Sequence, residues 1–382
     1  MAPCTRPYTC GPSSVVRGLV SFLRSMSPRR PVASTTLLLA ALLFASQTAS
    51  AQAAMAASAA MRVSSRAEAG APQASRLRPI FVLNSLDASI SVIDPRTYAE
   101  IRRLPTGKEP HHLYLTPDEK SLIVANALAD SLTLIDPVTA EIQRTIVGIA
   151  DPYHLRFSPD MRWFVTASNR LDRIDIYRWL PGDAAQPLKL ASRVEIAKTP
   201  SHLMIDSKST TVYASLQDSD ELVAIDLATQ VPRWKIAVGK KPADLFLTSD
   251  DKTLLVALTG DEFVVAYDVS GPAPRLLKRI RTAAGAHAFR ARGDGRRVLV
   301  SNRVANSISL IDLASLEVVD TYPAPGGPDC MDMLADGKTL LTTSRWSRKL
   351  TVIDTEKRAV VRQVAVGRSP HGVWTLDHAP RR

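Results

Sequence analysis

The sequence predicts an all-β ring of seven blades, each blade a four-stranded antiparallel sheet, and three observations predict it. The stretch from Pro110 to Gly148 holds four strand-length apolar runs, His112–Thr116, Leu122–Asn126, Ser131–Asp136 and Glu141–Val147. Val, Ile, Leu and Thr fill them, and Pro-Asp, Asn and Asp-Pro break them, which is the pattern of an antiparallel meander. An apolar run ending in Ile-Asp or a variant then recurs at Asp94, Asp136, Asp175, Asp226, Asp268, Asp312 and Asp354, at steps of 42, 39, 51, 42, 44 and 42 residues. A single meander cannot bury both its faces, and a period near forty residues with four strands per unit is that of a β-propeller blade. Helical periodicity is absent across residues 79–382.

Taken in order, the chain opens with a segment of different character. Residues 1–51 read as a leader: Arg29-Arg30, the apolar stretch Val32–Phe44 and Thr48-Ala49-Ser50-Ala51 follow the order of a secretory signal peptide. Its apolar core is too short for a lasting membrane anchor, Met26 reads as an alternative start, and cleavage near Ala51 would deliver the chain to the periplasm or outside the cell. Residues 52–78, rich in Ala, Ser and Arg, read as a disordered linker. Residues 79–382 carry the propeller.

The net charge of +11 misdescribes that region. Of 48 basic and 37 acidic residues, nine arginines and one glutamate fall in the first 78 positions, which leaves 39 against 36. So balanced a domain offers no global electrostatic attraction for nucleic acid. Of three cysteines, Cys4 and Cys10 lie in the leader, so Cys330 alone remains and no disulfide staples the mature monomer.

The propeller begins with Ile80–Asn84, which matches a second strand, and ends with Pro370–Leu376, which matches a first strand. The last strand is therefore expected to complete the first blade and close the ring. First strands are expected near His112, His154, His202, Asp244, His287, Cys330 and His371. Second strands hold Val82, Val124, Val165, Tyr213, Val256, Leu299 and Leu341. Outer strands hold Ile101, Ile142, Val194, Ile236, Leu277, Val318 and Val361. The long step after Asp175 marks an insertion around Leu180–Leu188. Reversals such as Thr116-Pro117-Asp118 and Ser158-Pro159-Asp160 are ordinary tight turns. Asn84, Asn126, Asn169 and Asn302 are expected to bond nearby backbone.

Leu122–Asn126, Leu132–Pro137, Ile308–Leu313 and Ser158-Pro159-Asp160 give residues 79–382 a resemblance to the YVTN-repeat, YncE-like propellers of exported bacterial proteins. The tetrapeptide that names those repeats is absent; Val82-Leu83-Asn84-Ser85 and Val300-Ser301-Asn302-Arg303 come nearest. The resemblance implies the fold. Function needs the site itself, because propellers host unrelated roles.

Chemistry concentrates in one recurring context. Six of seven histidines follow a Pro or its equivalent: His111, His112, His154, His202, His287 and His371. Read as the second place after Pro, or after Gly285, the series is His112, His154, His202, Asp244, His287, Cys330 and Gly372. These positions start the innermost strands and are expected to ring the mouth of the central channel. Imidazole, carboxylate and thiolate are metal-ligating groups, and His112, His154, His202 and His287 are the candidate metal ligands. Arg303 and Arg345, on loops of the same face, join the histidines, Asp244 and Cys330 as candidate ligand contacts.

The leading expectation is a monomeric binding propeller, not an enzyme, that holds a small ligand or a protein partner at this face. The alternatives are a metal- or haem-dependent oxidoreductase or cofactor-handling protein, for which a transition metal or a haem-type tetrapyrrole would be the cofactor, and a propeller-type lactone hydrolase. The first draws on a distant likeness to haem-binding nitrite-reductase propellers. Basic residues on the same face, with Trp346, would suit single-stranded nucleic acid, an association known for some relatives of the family. No Cys-x-x-Cys-His, Gly-x-Ser-x-Gly or phosphate-loop motif occurs, and no catalytic residue is assigned.

Overall fold

The computed structural model describes residues 78–381; the leader and nearly all of the linker lie outside them. Seven four-stranded antiparallel sheets form the propeller. β1 (Ile80–Asn84), β2 (Ser89–Ile93) and β3 (Glu100–Pro105) begin the first blade. The second is β4 (Pro110–Leu115), β5 (Leu122–Asn126), β6 (Ser131–Ile135) and β7 (Ile142–Val147). The third is β8 (Pro152–Phe157), β9 (Trp163–Ser168), β10 (Arg173–Trp179) and β11 (Leu188–Glu195). The fourth is β12 (Pro200–Ile205), β13 (Thr211–Leu216), β14 (Glu221–Asp226) and β15 (Pro232–Ala237). The fifth is β16 (Pro242–Leu247), β17 (Thr253–Leu258), β18 (Phe263–Asp268) and β19 (Arg275–Arg281). The sixth is β20 (Ala286–Ala291), β21 (Arg297–Asn302), β22 (Ser307–Asp312) and β23 (Glu317–Pro323). The seventh is β24 (Pro328–Met333), β25 (Thr339–Ser344), β26 (Lys349–Asp354) and β27 (Ala359–Ala365). β28 (Pro370–Thr375) pairs antiparallel with β1, Phe81 opposite Trp374, and closes the ring as expected.

Burial explains why the strands read so differently. β5 and β6 are buried at every residue, on both faces, because neighbouring blades cover them, so they read as unbroken apolar runs. β7, at the rim, alternates and leaves Ile142 and Val147 exposed. Packing runs from blade to blade: Phe81, Leu83 and Val92 share one core with Leu122, Val124 and Ile135 of the next blade. Each such side chain contributes roughly 1.5–3 kcal/mol on burial.

The recurring Asp earns its position at the turn after the third strand. Asp136 Oδ1 accepts the N–H groups of Val138 and Thr139, both at 2.8 Å. Asp226, Asp312 and Asp354 bind the same two turn positions. Asp175 proves not to belong to this series. Arg173 pairs with Ser168 as Ser131 pairs with Asn126, which puts Arg178 where the other blades carry the turn Asp. Asp175 lies inside β10, fully buried and ion-paired with Arg173 at 2.9 Å. The insertion lengthens the β10–β11 hairpin. Of the asparagines, Asn84, Asn126 and Asn302 use Nδ2 to bind hydroxyls of the third strand, Asn126 reaching Ser131 and Thr133, while Asn84 Oδ1 also accepts the backbone N–H of Gly367 across the ring closure at 2.9 Å.

Candidate functional site at the propeller axis

The innermost strands do not begin as plain strands. In β4, Pro110 pairs with Asn126 and Leu113 with Val124, so His111 and His112 together oppose Ala125 alone. The same two-against-one step puts Ser201 and His202 opposite Ser215, Asp329 and Cys330 opposite Thr343, and His371 and Gly372 opposite Leu83. β16 carries it at Ala243 and Asp244, and β8 shifts by one residue at Tyr153. Such bulges re-aim side chains, and here they turn two successive residues of one strand into one cluster.

Register also corrects the sequence alignment. Ala286 pairs with Asn302 as Pro110 pairs with Asn126, so the bulged pair in β20 is His287 and Ala288. His287 is therefore the counterpart of His111, Asp329 and His371, not of His112, His154 and His202. Gly285 misled because it precedes the paired residue instead of occupying it.

All six histidines gather at the axis. Ring centroids lie 4.4 Å apart for His112–His154, 5.0 Å for His154–His202 and for His112–His202, and 5.5 Å for His202–His287. His111 stacks between His371 at 3.6 Å and Tyr153 at 3.9 Å. None of the six is more than 6% exposed. The expected ring at the channel mouth is instead a closed layer across the channel. On one side lies a cavity of about 300 Å³, lined by His112, His154, His202, Asp244, Cys330 and residues farther along the inner strands, including Arg156. His111, His287, Asp329 and His371 are not part of that lining.

Burial keeps these rings neutral. It drives the pKa of His111, His112, His154, His202 and His371 well below the usual histidine value, and pushes His287, with Arg303 nearby, down to about 4. Each ring nevertheless keeps one buried nitrogen without a hydrogen-bond partner among the described residues: Nδ1 of His111 and His154, Nε2 of His112, His202, His287 and His371. Native interiors leave few such groups. These side chains form three sets in which each residue offers one ligand atom within 4.8 Å of the others: His112, His154 and His202; His287, Asp329 and His371; and His111, His112 and His371.

The remaining candidates behave differently. Asp244 accepts the backbone N–H groups of Leu245 and Phe289, so its carboxylate ties β16 to β20 and joins none of the three sets. The Cys330 thiol is pushed well up by burial and makes only a long contact, 3.6 Å, to His371 Nδ1. Arg303 and Arg345 hold Asp329 Oδ2 at 2.5 and 3.2 Å. Burial, the largest single influence, raises that carboxyl, but Arg303, His371 and His287 together outweigh it and hold the pKa well below the usual range. The proposed four-histidine metal set is thus divided, with His287 belonging beside Asp329. Asp329 escaped the sequence reading, although it follows Pro328 as His111 follows Pro110 and His371 follows Pro370.

The sequence model of the YncE-like β-propeller matches residues 35–381. The chain belongs to that family. Among curated proteins, no sequence relative matches it. YncE-like architecture brings many solved structures close. A functionally unknown protein from Desulfotomaculum acetoxidans is 16% identical, with 78% of this chain and 98% of that one covered at a TM-score of 0.67. The Pseudomonas aeruginosa periplasmic gluconolactonase is 19% identical, covering 80% and 100%, at 0.66. The dihydro-heme d1 dehydrogenase NirN is 16% identical, covering 79% and 76%, at 0.60. Likeness at these identities establishes the fold alone.

Proposed function

We propose that this YncE-like protein is an exported binding propeller that seats a small anionic ligand in its axial cavity, against His112, His154 and His202. Export rests on the leader, with Arg29-Arg30, the apolar stretch Val32–Phe44 and the site at Ala51. No helix among the described residues is long and apolar enough to cross a membrane. The observation that carries the binding site is the convergence of three buried histidines, each with a partnerless nitrogen, in the lining of a cavity. His112 Nε2, His154 Nδ1 and His202 Nε2 can each donate or accept, according to tautomer.

Charge sets the ligand class. Arg290 and Arg381 line the cavity and share Asp332. Arg156 lies over the Tyr114 ring and donates Nε to the Leu203 carbonyl, and among the described residues no carboxylate forms a direct ion pair with it, Asp244 acting on it only through space. Against these three cations stand Asp244 and Asp332, so the balance favours an anion. Imidazoles packed 3.6–5.5 Å apart leave no slot for a flat macrocycle, which argues against a tetrapyrrole. On the loop face, Arg170 is paired with Glu109 and Asp151, Lys241 with Asp218 and Arg368 with Asp87, which argues against a groove for single-stranded nucleic acid.

Thermal unfolding with phosphate, sulfate, gluconate and citrate tests the reading. At least one anion is expected to raise the Tm of the wild type and to leave Arg156→Met and His202→Ala unchanged. Native mass spectrometry of protein purified from its own host is expected to show an adduct that both variants lack. No Tm shift and a bare chain mass would overturn the proposal, and turnover of glucono-1,5-lactone by pure protein would replace it with a hydrolytic one.

A further inference from the structure

On the other side of the histidine layer, the geometry points to a separate site: His287 Nε2, His371 Nε2 and Asp329 Oδ1 form a two-histidine, one-carboxylate centre for a divalent first-row transition-metal ion. Distances make the first part of the case. Asp329 Oδ1 lies 3.3 Å from His287 Nε2 and 3.4 Å from His371 Nε2. Ligand atoms around a tetrahedral ion with bonds of about 2.0–2.1 Å stand about 3.3–3.4 Å apart. Neither contact has hydrogen-bond geometry, and all three atoms are buried without a well-aligned partner, although His287 at 3.3 Å is near enough to help keep the Asp329 carboxylate charged.

Proton placement explains why. The Thr259 hydroxyl donates to the Ala286 carbonyl at 2.9 Å, so its oxygen receives the proton of His287 Nδ1 at 3.0 Å. His371 Nδ1 lies 2.8 Å from the His111 carbonyl, which can only accept. Both rings therefore carry hydrogen on Nδ1 and turn a bare Nε2 lone pair toward a carboxylate oxygen. Three acceptors facing one another repel unless a cation lies among them. Donation of the distal N–H to a carbonyl or hydroxyl is also the arrangement that orients metal-ligating histidines.

Asp329 is prepared in the same way. Arg303 and Arg345 occupy Oδ2 and leave Oδ1 free. Two imidazoles and one carboxylate suit Fe²⁺, Zn²⁺ or Co²⁺, and three protein ligands leave a position open. Two guanidinium groups beside a dication call for a companion anion, and Arg303 Nε, buried and unpartnered, is a donor left for it.

Co²⁺ titration of chelator-stripped protein tests the site, because its visible spectrum reports ligand geometry directly. Wild type is expected to bind Co²⁺ with a visible d–d absorption and a raised Tm. Asp329→Asn and His287→Ala should lose both, with circular dichroism unchanged. Thr259→Val, which removes only the proton acceptor of His287, should weaken Co²⁺ binding about 10–100-fold. Added phosphate should tighten Co²⁺ binding in wild type and not in Arg303→Met. Arg156→Met should leave the Co²⁺ spectrum intact, which separates this centre from the cavity. The inference falls if stripped wild type gives no spectrum, or if Asp329→Asn binds Co²⁺ as wild type does.

Discussion

Asp329 and Asp332 lie three residues apart on β24, and both are fully buried. Their oxygens are used in opposite ways. Asp332 receives Arg290 Nε at 2.9 Å and Met333 N–H at 3.1 Å on one oxygen, and Arg381 at 2.8 Å and Thr375 N–H at 3.2 Å on the other. Arg290 directs its remaining protons to the carbonyls of Ala291, Met333, Ala379 and Pro380, which ties the C-terminal segment to the ring. At Asp329 one oxygen is saturated by arginines and the other faces two imidazole lone pairs with nothing between. A buried carboxylate with every lone pair met holds structure together. One with a free oxygen among other acceptors is a binding group, because its desolvation is left uncompensated until a ligand arrives.

Acid should separate the two ends most strongly. In metal-free protein the six axial imidazoles are neutral, and their pKa values lie below those of the unfolded chain. Their contribution to stability is complete above the unfolded value, about 6.5, and is lost as pH falls below it. Each imidazole adds up to about 1.4 kcal/mol per pH unit to that slope. Urea midpoints should drop steeply from pH 6.5 toward pH 4. Midpoints that hold steady from pH 7 to 5 would mean that the rings protonate in the folded state. The pairing of Arg290 with Asp332 involves no imidazole and adds none of this histidine-borne slope.

Direct removal of each carboxylate is the next largest test. Asp332→Ala strands a buried guanidinium and should cost about 3–5 kcal/mol in urea unfolding. Asp329→Asn in metal-free protein should cost less than half as much, since Arg303 and Arg345 keep access to water. Equal costs would erase the distinction between the two groups. A smaller effect is expected at Gly372. A Cβ there would lie 2.5 Å from Leu113 Cδ2 and 2.9 Å from Leu83 Cδ1, so Gly372→Ala should cost about 1–3 kcal/mol by overpacking where β28 meets β4. Least of all, Arg368→Ala removes an exposed pair with Asp87 and should change stability by under about 1 kcal/mol.

Much of this architecture is legible in the chain. Four runs per forty residues, turn aspartates at Asp94, Asp136, Asp226, Asp268, Asp312 and Asp354, and a C-terminal segment built like a first strand are local patterns. Local backbone chemistry suffices to produce them. The gathering of His111, His112, His154, His202, His287 and His371 also follows from the repeat, because equivalent positions in a ring face one axis. Tertiary structure alone decided the rest. A bulge is a property of pairing between strands, so nothing in the sequence near Gly285 shows that His287 stands with Asp329 and His371. Asp175 likewise reads as a turn residue until its partner strand fixes the register. Whether an imidazole nitrogen is bare depends on a carbonyl at His111 and a hydroxyl at Thr259, 260 and 28 residues away from the rings they orient. The first of these bonds exists only once the ring has closed, the second only once neighbouring blades have packed.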